Sequence, residues 1–175
     1  MKNSIPTANI QPNPTDRVTC NLEEAHFAIG AVSIPSANNM GLVFQASQAQ
    51  QLYTSELGFT NSQPQASWVD VNRQSVQLTS PTRQPISAPS VLAFTSVPGS
   101  QTLRVNSAVV PKSSATFAPS PFNQMLIGWG YRSYHPRDGF KGFISAVITG
   151  KGKPSADELV VLERFLGTTA GVTLK

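Results

Sequence analysis

The segment between residues 128 and 140 concentrates side chains that can bind a ligand. It holds three large aromatic residues, one histidine, two arginines and one aspartate, namely Trp129, Tyr131, Arg132, Tyr134, His135, Arg137 and Asp138. Flat aromatic rings stack on the apolar faces of sugar rings and also form hot spots in protein interfaces. Arginine, aspartate and histidine add hydrogen bonds to hydroxyl groups. The sequence therefore predicts a binding loop here, with these residues as ligand contacts.

The strongest candidates in this loop are Tyr134, His135 and Arg137. They flank Pro136, which favours an exposed and stiffened loop. Trp129 and Tyr131 have an alternative role: if the strand that begins near residue 125 continues, both side chains alternate inward and belong to the core.

Carboxylates spaced for hydrolysis are absent from the sequence. A retaining glycosidase needs a nucleophile and an acid about 5.5 Å apart. Glu23 and Glu24 are adjacent and point to opposite faces of a strand, whereas Glu56 and Asp70 are solitary. The remaining acids of the second half are explained by a helix cap and its solvated face; they are Asp157, Glu158 and Glu163. We therefore expect no enzymatic activity.

The sequence shows no recognisable pattern for nucleophilic catalysis by histidine with serine or cysteine, or for a metal site. His26 and His135 have no serine or cysteine partner in a known motif, and Cys20 is the single cysteine, so an internal disulfide is excluded. Two isolated histidines and one cysteine do not make a zinc site. We expect no metal and no cofactor. Calcium is the alternative, with donors that match no defined ligand pattern: Asp70, Asn72, Asn106 and Asp138.

The elements that must position these side chains are mostly strands. Short apolar runs separated by turn residues predict strands at 25–34, 41–46, 51–59, 68–78, 90–97, 102–105 and 140–149. Pro98-Gly99 and Asn106-Ser107 predict tight turns between antiparallel strands. Three prolines argue against a central strand in 80–89.

The strand at 140–149 has the clearest alternation. Phe143, Ser145, Val147 and Thr149 are predicted on one face, and Ile144, Ala146 and Ile148 on the other. The predicted core residues are Phe143, Ile144, Val147, Ile148, Leu103, Val105 and Ile127.

One helix is predicted near the C-terminus. Ser155 and Glu158 have the spacing of a capping box. An apolar face then recurs at helical spacing, and Gly167 is predicted to end the helix; the face consists of Leu159, Leu162, Phe165 and Leu166.

Composition limits the classes of protein that fit. The chain has 175 residues, 39% hydrophobic and only 13% charged, with a net charge of +4. No apolar run approaches the ~20 residues of a membrane helix, so no membrane insertion is expected. The basic residues are scattered, which argues against nucleic-acid binding. Residues 1–20 are proline-containing and polar, which predicts an extended arm. The lack of a secretory signal and of a disulfide favours folding in a cytoplasm.

Four segments occur in an order typical of one family, at 101–110, 126–128, 140–148 and 154–166. In order and spacing they resemble the C-terminal half of laminin-G-like domains of the concanavalin A-like lectin/glucanase superfamily. The resemblance implies an all-β fold, a two-sheet antiparallel jelly-roll sandwich over residues 21–175 with one short C-terminal helix. The family usually carries Asn-Gly where this chain has Asn106-Ser107.

The tail at 171–174, Gly-Val-Thr-Leu, extends the resemblance to laminin-G-like domains of tailed-phage virions. It implies a non-enzymatic virion component of a bacteriophage tail, baseplate or capsid, made in the host cytoplasm. Its partners are then other virion subunits or copies of itself, with a rim loop that binds protein or a bacterial cell-surface glycan. The alternative is a carbohydrate-binding module of a bacterial surface or secreted protein. A glycan hydrolase or lyase is disfavoured, because the glucanases of the superfamily carry Glu-x-Asp-x-x-Glu and this chain does not.

Overall fold

The computed structural model describes residues 18–22, 25–37, 41–47, 54–70, 72–97, 99–110, 122–132, 135–136 and 139–174. Side chains are described for these residues except at 18–22, 123, 131–132 and 135–136. In chain order the elements are β1 (Val18–Leu22), β2 (His26–Ser33), β3 (Gly41–Ser47), β4 (Thr54–Thr60), β5 (Gln63–Val69), β6 (Ser75–Thr79), β7 (Pro89–Val97), β8 (Ser100–Val105), β9 (Ala108–Val109), β10 (Phe122–Ile127), β11 (Tyr131–Arg132), β12 (His135–Pro136), β13 (Phe143–Lys151) and α1 (Ala156–Ala170).

The strands form a two-layer antiparallel sandwich. One sheet has six strands in the order β1-β10-β3-β4-β5-β6, and the other has five in the order β13-β2-β7-β8-β9. Helix α1 packs against the outer side of the five-stranded sheet, on β2, β7 and β13. The predicted all-β sandwich with one C-terminal helix is therefore confirmed. β1 begins at Val18, inside the segment predicted as the arm, and residues 1–17 lie outside the described residues.

Strand alternation explains the core between the sheets. Register partners across β3 to β6 form buried rows, the first of which consists of Phe44, Leu57, Ala66 and Leu78. The next row includes Ala46, Ser55 and Trp68, all of them buried. The five-stranded sheet opposes them with Leu92, Phe94 and Leu103, so the prediction of a buried Leu103 is confirmed. Each such large apolar side chain contributes roughly 1.5–3 kcal/mol on burial.

A bulge in β13 changes the predicted alternation. The register shifts between Ile144, paired with Val32, and Ala146, paired with Ala31. The extra residue lets Ile144 and Val147 both pack in the core between the sheets, whereas the prediction placed them on opposite faces. Ala146 and Ile148 pack on the other side, beneath the helix.

The prediction of a buried position in the core is wrong for two residues. Phe143 is 52% exposed, because it is the first residue of β13 and this strand lies at the edge of its sheet. Ile127 is 44% exposed at the last position of β10. Val105 packs against the core, as predicted, but is only half-buried.

The predicted strand at 68–78 is a hairpin. β5 ends at Val69 and β6 begins at Ser75. The side chain of Asp70 accepts hydrogen bonds from the backbone N–H groups of Asn72 at 2.9 Å and Gln74 at 2.8 Å. This local pattern offers the backbone a turn in place of a ladder, which explains why the alternation of residue types misled the prediction.

Both predicted tight turns are confirmed. Val97 and Ser100 are register partners, so two residues connect β7 to β8, and Gly99 has a positive φ of 75°. Asn106 and Ser107 have φ values of 48° and 69°, which is the type I′ pattern of a two-residue hairpin.

The helix begins as predicted and ends later than predicted. The side chain of Ser155 accepts from the Glu158 N–H at 3.2 Å, and the Glu158 carboxylate accepts from the Ser155 N–H at 2.8 Å. The helix continues through Gly167 to Ala170 and ends at Gly171, whose φ of 73° is left-handed. Gly167 serves close packing, because a Cβ there would lie 3.0 Å from the Val172 carbonyl oxygen.

The buried face of α1 differs from the predicted one at two positions. Phe165 is 63% exposed, whereas the carboxylate of Glu163 is fully buried. The predicted assignment of Glu163 to a solvated face is therefore wrong. Arg104 donates from Nε and from a terminal nitrogen to the two Glu163 oxygens, each at 2.8 Å, and the Ser107 hydroxyl donates at 2.9 Å. Ser107 lies at the second position of the turn, where glycine is common, and its hydroxyl binds Glu163 of the helix.

The capping box leads to a prediction. We expect Ser155→Ala to lower the free energy of unfolding by about 1 kcal/mol at neutral pH. Hydrogen bonding to the carboxyl, first from the Ser155 backbone N–H and second from the Ser155 side chain, holds the pKa of Glu158 below its ordinary value of 4.5. The contribution of the Glu158 carboxylate to the free energy of unfolding is therefore present above pH 4.5, and it is lost as the pH falls through the lowered pKa. Chemical denaturation of both proteins between pH 7 and pH 3 measures this, and a difference that grows on acidification would contradict it.

Candidate functional site

The predicted binding loop is held at both ends by the sandwich. The Phe140 N–H donates to the Gly128 carbonyl at 2.7 Å, and the Gly128 N–H donates to the Val43 carbonyl at 3.0 Å. Gly139 forms a bridge with Leu42, and the ring of Phe140 stacks on Phe59 with centroids 5.7 Å apart. The chain between these points therefore leaves and rejoins the rim of the six-stranded sheet at one place.

Within the loop, β11 and β12 pair as a short hairpin. Tyr131 is the register partner of Pro136, and Arg132 is the register partner of His135. The structure therefore brings three of the predicted contacts onto one hairpin, although it describes their backbone alone. The other loop predictions, Tyr134, Arg137 and Asp138, lie outside the described residues. All six stay predictions as ligand contacts.

Trp129 is buried, but not in the core between the sheets: β10 ends at Ile127, and the indole lies in a separate cluster on the outer side of the six-stranded sheet. It is 3% exposed and packs with Leu126. An indole buried to this extent offers no face on which a ligand could stack, so Trp129 serves to anchor the loop. The next residue, Gly130, lies directly on the sheet: a Cβ there would be 2.5 Å from the Leu42 side chain and 2.8 Å from the Gln45 side chain. The loop thus begins on the outer side of β3.

The outer side of β4, β5 and β6 is the open surface next to this loop. Its residues alternate with the buried rows and are half-buried or exposed; they are Glu56, Thr60, Gln63, Gln65, Ser67, Val69, Ser75, Gln77 and Thr79. We call this surface the polar face. It lies on the side of the sandwich opposite helix α1, and register pairing joins its strands to β3, over which the loop begins.

Hydrogen bonds join one residue of β3 to a row of the polar face. Gln45, Glu56, Ser67 and Gln77 are successive register partners across four strands. The buried side-chain amide of Gln45 donates to one Glu56 oxygen at 2.8 Å, and the Ser67 hydroxyl donates to the other at 2.9 Å. The carboxylate is therefore held in one orientation, between the covered and the open parts of the sheet.

The six-stranded sheet is almost free of formal charge. Its strands contain one ionisable acidic or basic side chain, Glu56. Solvated sheet faces ordinarily carry interspersed lysine, arginine and glutamate. This surface carries glutamine, serine and threonine in their place, and each of these side chains can both donate and accept hydrogen bonds.

The sequence predictions missed the polar face. The alternation of Gln63, Gln65 and Ser67 was present within 63–69, but this stretch was assigned in part to the strand at 68–78. The available signal for a polar outer surface was this alternation together with the solitary Glu56.

Other candidates for chemistry are structural. His26 is fully buried; its Nε2 lies 2.7 Å from the Ser55 hydroxyl oxygen and its ring contacts Trp68, Phe94 and Phe122. Among the calcium candidates, Asp70 caps a turn and the Asn106 side chain accepts from the Val91 N–H at 2.8 Å.

Two negative findings concern the described residues alone. No group of three or more histidine, cysteine, aspartate or glutamate side chains in the described part of the chain has the arrangement of a metal site. Within the same ranges, no helix combines the length and apolar character that crossing a bilayer requires.

Comparison with known proteins gives matches by structure alone. No protein-family model matches the chain, and no curated protein matches it in sequence. The mouse laminin α1 chain, domains LG4-5, is similar with a TM-score of 0.63 at 10% identity, over 81% of this chain and 40% of that one. The CBM40 module of the Ruminococcus gnavus IT-sialidase, bound to α2,3-sialyllactose, gives 0.63 at 14% identity, over 81% and 84%. Domain 4 of the Geobacillus stearothermophilus GH43 arabinanase AbnA, in complex with arabinotriose, gives 0.62 at 11% identity, over 81% and 68%.

At identities this low, the likeness establishes the fold and leaves the function open. The chain spans 40% of the length of the laminin fragment that it matches and most of the length of the two bacterial modules. Sheet order, the C-terminal helix and these neighbours agree with the fold that the sequence resemblance implied. The chain has a concanavalin A-like jelly-roll fold, as laminin G domains do.

Proposed function

We propose that this chain is a non-catalytic glycan-binding domain whose ligand lies on the polar face, beside the loop at 128–140. The observation that carries the proposal is the composition of that face, where amide and hydroxyl side chains surround a single, hydrogen-bonded carboxylate. The side chains match the chemistry of sugar hydroxyls, which are donors and acceptors at once.

The arrangement favours binding over turnover. Glu56 is the single carboxylate on the six strands of this sheet, and both of its oxygens accept hydrogen bonds from the protein. Retaining hydrolysis needs a second carboxylate about 5.5 Å away, and inverting hydrolysis needs one at roughly 6.5–9.5 Å. These strands supply neither. A fixed carboxylate instead offers its free lone pairs as hydrogen-bond acceptors for a bound ligand.

The structural neighbours support the same proposal. Two of them are modules whose structures contain sialyllactose and arabinotriose, and each matches most of this chain. A carbohydrate-binding module, which was the alternative hypothesis from the sequence, therefore fits these neighbours better than the main hypothesis of a bacteriophage virion component. The bacteriophage virion component, its location in a virion and its partnership with virion subunits or copies of itself gain no support from these neighbours, and they stay predictions.

A pair of double variants tests the proposal and locates the site. Gln65→Ala with Gln77→Ala changes two outward-facing side chains of the polar face, and we expect about tenfold weaker binding to any glycan found on an array. Tyr134→Ala with Arg137→Ala changes the loop, and we expect a loss of about 2 kcal/mol or more, on the order of 30-fold. Isothermal titration against the best array ligand measures both.

Arg164→Ala is the matched control, because Arg164 is exposed on α1 at the opposite side of the sandwich. It should bind as the parent does, and thermal unfolding should show that all variants keep the parent stability. Undiminished binding by both double variants would show that the ligand lies elsewhere on the molecule. A folded protein that binds no glycan, or that depolymerises one, would overturn the proposed function.

A further inference from the structure

The charge distribution on the polar face points to a class of ligand. We infer that the face selects uncharged, hydroxyl-rich glycans and rejects glycans that carry carboxylates, with Glu56 as the residue that makes the distinction. The inference rests on the proposed function and goes one step further, because one structural neighbour is bound to an acidic sugar and another to a neutral sugar.

Glu56 is suited to contact neighbouring hydroxyl groups directly. Each of its oxygens accepts one hydrogen bond from the protein, from Gln45 at 2.8 Å and from Ser67 at 2.9 Å. An ionised carboxylate has about four lone-pair sites, so each oxygen keeps acceptor capacity. Its side chain is half-buried, and the amide of Gln45 that orients it is fully buried. Two adjacent hydroxyl groups of a sugar can therefore donate to the two oxygens, and such charge-assisted bonds are the stronger kind.

The same carboxylate penalises an acidic ligand. No lysine or arginine lies on any strand of this sheet to offset it. Arg73 lies in the turn that follows β5 and Arg83 in the loop that follows β6, both beyond the strand ends and both exposed. A sugar carboxylate that lies on β4 and β5 would be brought beside Glu56, where like charges repel and a half-buried position weakens solvent screening.

The loop at 128–140 contributes charge of the opposite sign. In sequence, the loop contains Arg132 and Arg137 together with Asp138. If these arginines dominate recognition, an acidic glycan binds better than a neutral one. If Glu56 dominates, the reverse holds.

The test uses matched pairs of oligosaccharides. Trigalacturonate differs from galactotriose by carboxylates in place of hydroxymethyl groups, and sialyllactose differs from lactose by one acidic sugar. We expect the intact chain to bind the neutral member of at least one pair, and the acidic member about tenfold or more weakly. Glu56→Gln keeps the shape and removes the charge, so it should weaken neutral binding and reduce the discrimination to less than about threefold.

Two further readouts separate an electrostatic cause from a steric one. Raising the ionic strength should reduce the discrimination of the parent protein, because salt screens charge repulsion and leaves shape unchanged. Asp157→Asn removes the same unit of charge from the exposed first turn of α1 and should leave discrimination unaltered.

The outcomes distinguish the inference from the proposed function. Preference for the acidic member, or discrimination that Glu56→Gln leaves unchanged, refutes the role of Glu56 while glycan binding stands. Failure of the folded chain to bind either member of any pair, or any sugar on a broad array, refutes glycan binding itself.

Discussion

Replacement of Arg104 by methionine is expected to lower the free energy of unfolding by about 3–5 kcal/mol. The change would leave the carboxylate of Glu163 buried without its bidentate partner, and the Ser107 hydroxyl alone does not neutralise a charge. Urea denaturation at pH 7 measures the loss. Arg164→Met is the matched control, since Arg164 follows Glu163 on α1 and is exposed, and it should change the free energy of unfolding by less than about 0.5 kcal/mol.

A double variant tests the cause of that loss. Arg104→Met with Glu163→Leu removes both charges and replaces them with apolar volume, which is often neutral or stabilising for a buried pair. We therefore expect the double variant to be more stable than Arg104→Met alone. A single variant that loses less than about 1 kcal/mol, or a double variant that is the less stable of the two, would contradict the assignment of a buried, coupled pair.

The second large effect is expected at Phe94, which is 1% exposed on β7 in the middle of the five-stranded sheet. Its ring lies against that of His26 with centroids 6.3 Å apart. Phe94→Ala removes these contacts and leaves a cavity, so we expect a loss of about 3–5 kcal/mol. Phe143→Ala is the control for the same change of residue type, because Phe143 is 52% exposed, and we expect a loss below about 1 kcal/mol.

Thermal and denaturant unfolding of the two phenylalanine variants distinguishes the positions. Equal losses would mean that Phe143 is covered in solution, which would restore the original prediction of a buried side chain. A small loss at Phe94 would contradict the packing of the sandwich core.

Local rules predicted those parts of the fold that depend on neighbours in sequence. The start of the helix follows from Ser155 and Glu158, three residues apart, and both hydrogen bonds of the capping box are present. The turn at Asn106-Ser107 depends on two residues whose backbone reaches the left-handed region. The end of the helix was missed, because Gly167 packs against residues 172 and 174 after the chain has turned back.

Features that depend on distant partners were hidden from the sequence. A bulge between Ile144 and Ala146 changes which residues face inward, and nothing in the residue types marks it. The burial of Glu163 depends on Arg104, fifty-nine residues earlier in the chain.

The candidate site divides in the same way. The loop at 128–140 was predicted from its residue types, and the hairpin that pairs Tyr131 with Pro136 lies within it. The polar face could not be predicted as one surface, because its rows are assembled from three strands whose registers only the folded sheet defines. Trp129 shows the limit of residue type as a signal, since a large aromatic residue in a loop can anchor that loop as readily as contact a ligand.

The attachment of the loop has a consequence for how such a domain can diversify. Its two ends meet through the hydrogen bond between Phe140 and Gly128, and the buried Trp129 anchors it at the first step. The free-energy cost of closing a loop rises only slowly with its length. Gly130 must stay, because a side chain there would meet Leu42 and Gln45, but residues between Gly130 and Gly139 can be exchanged, shortened or lengthened with little cost to the sandwich. The rim of the sheet can therefore hold segments of different length and sequence at this place, and a change of ligand through the loop would need no change in the sandwich.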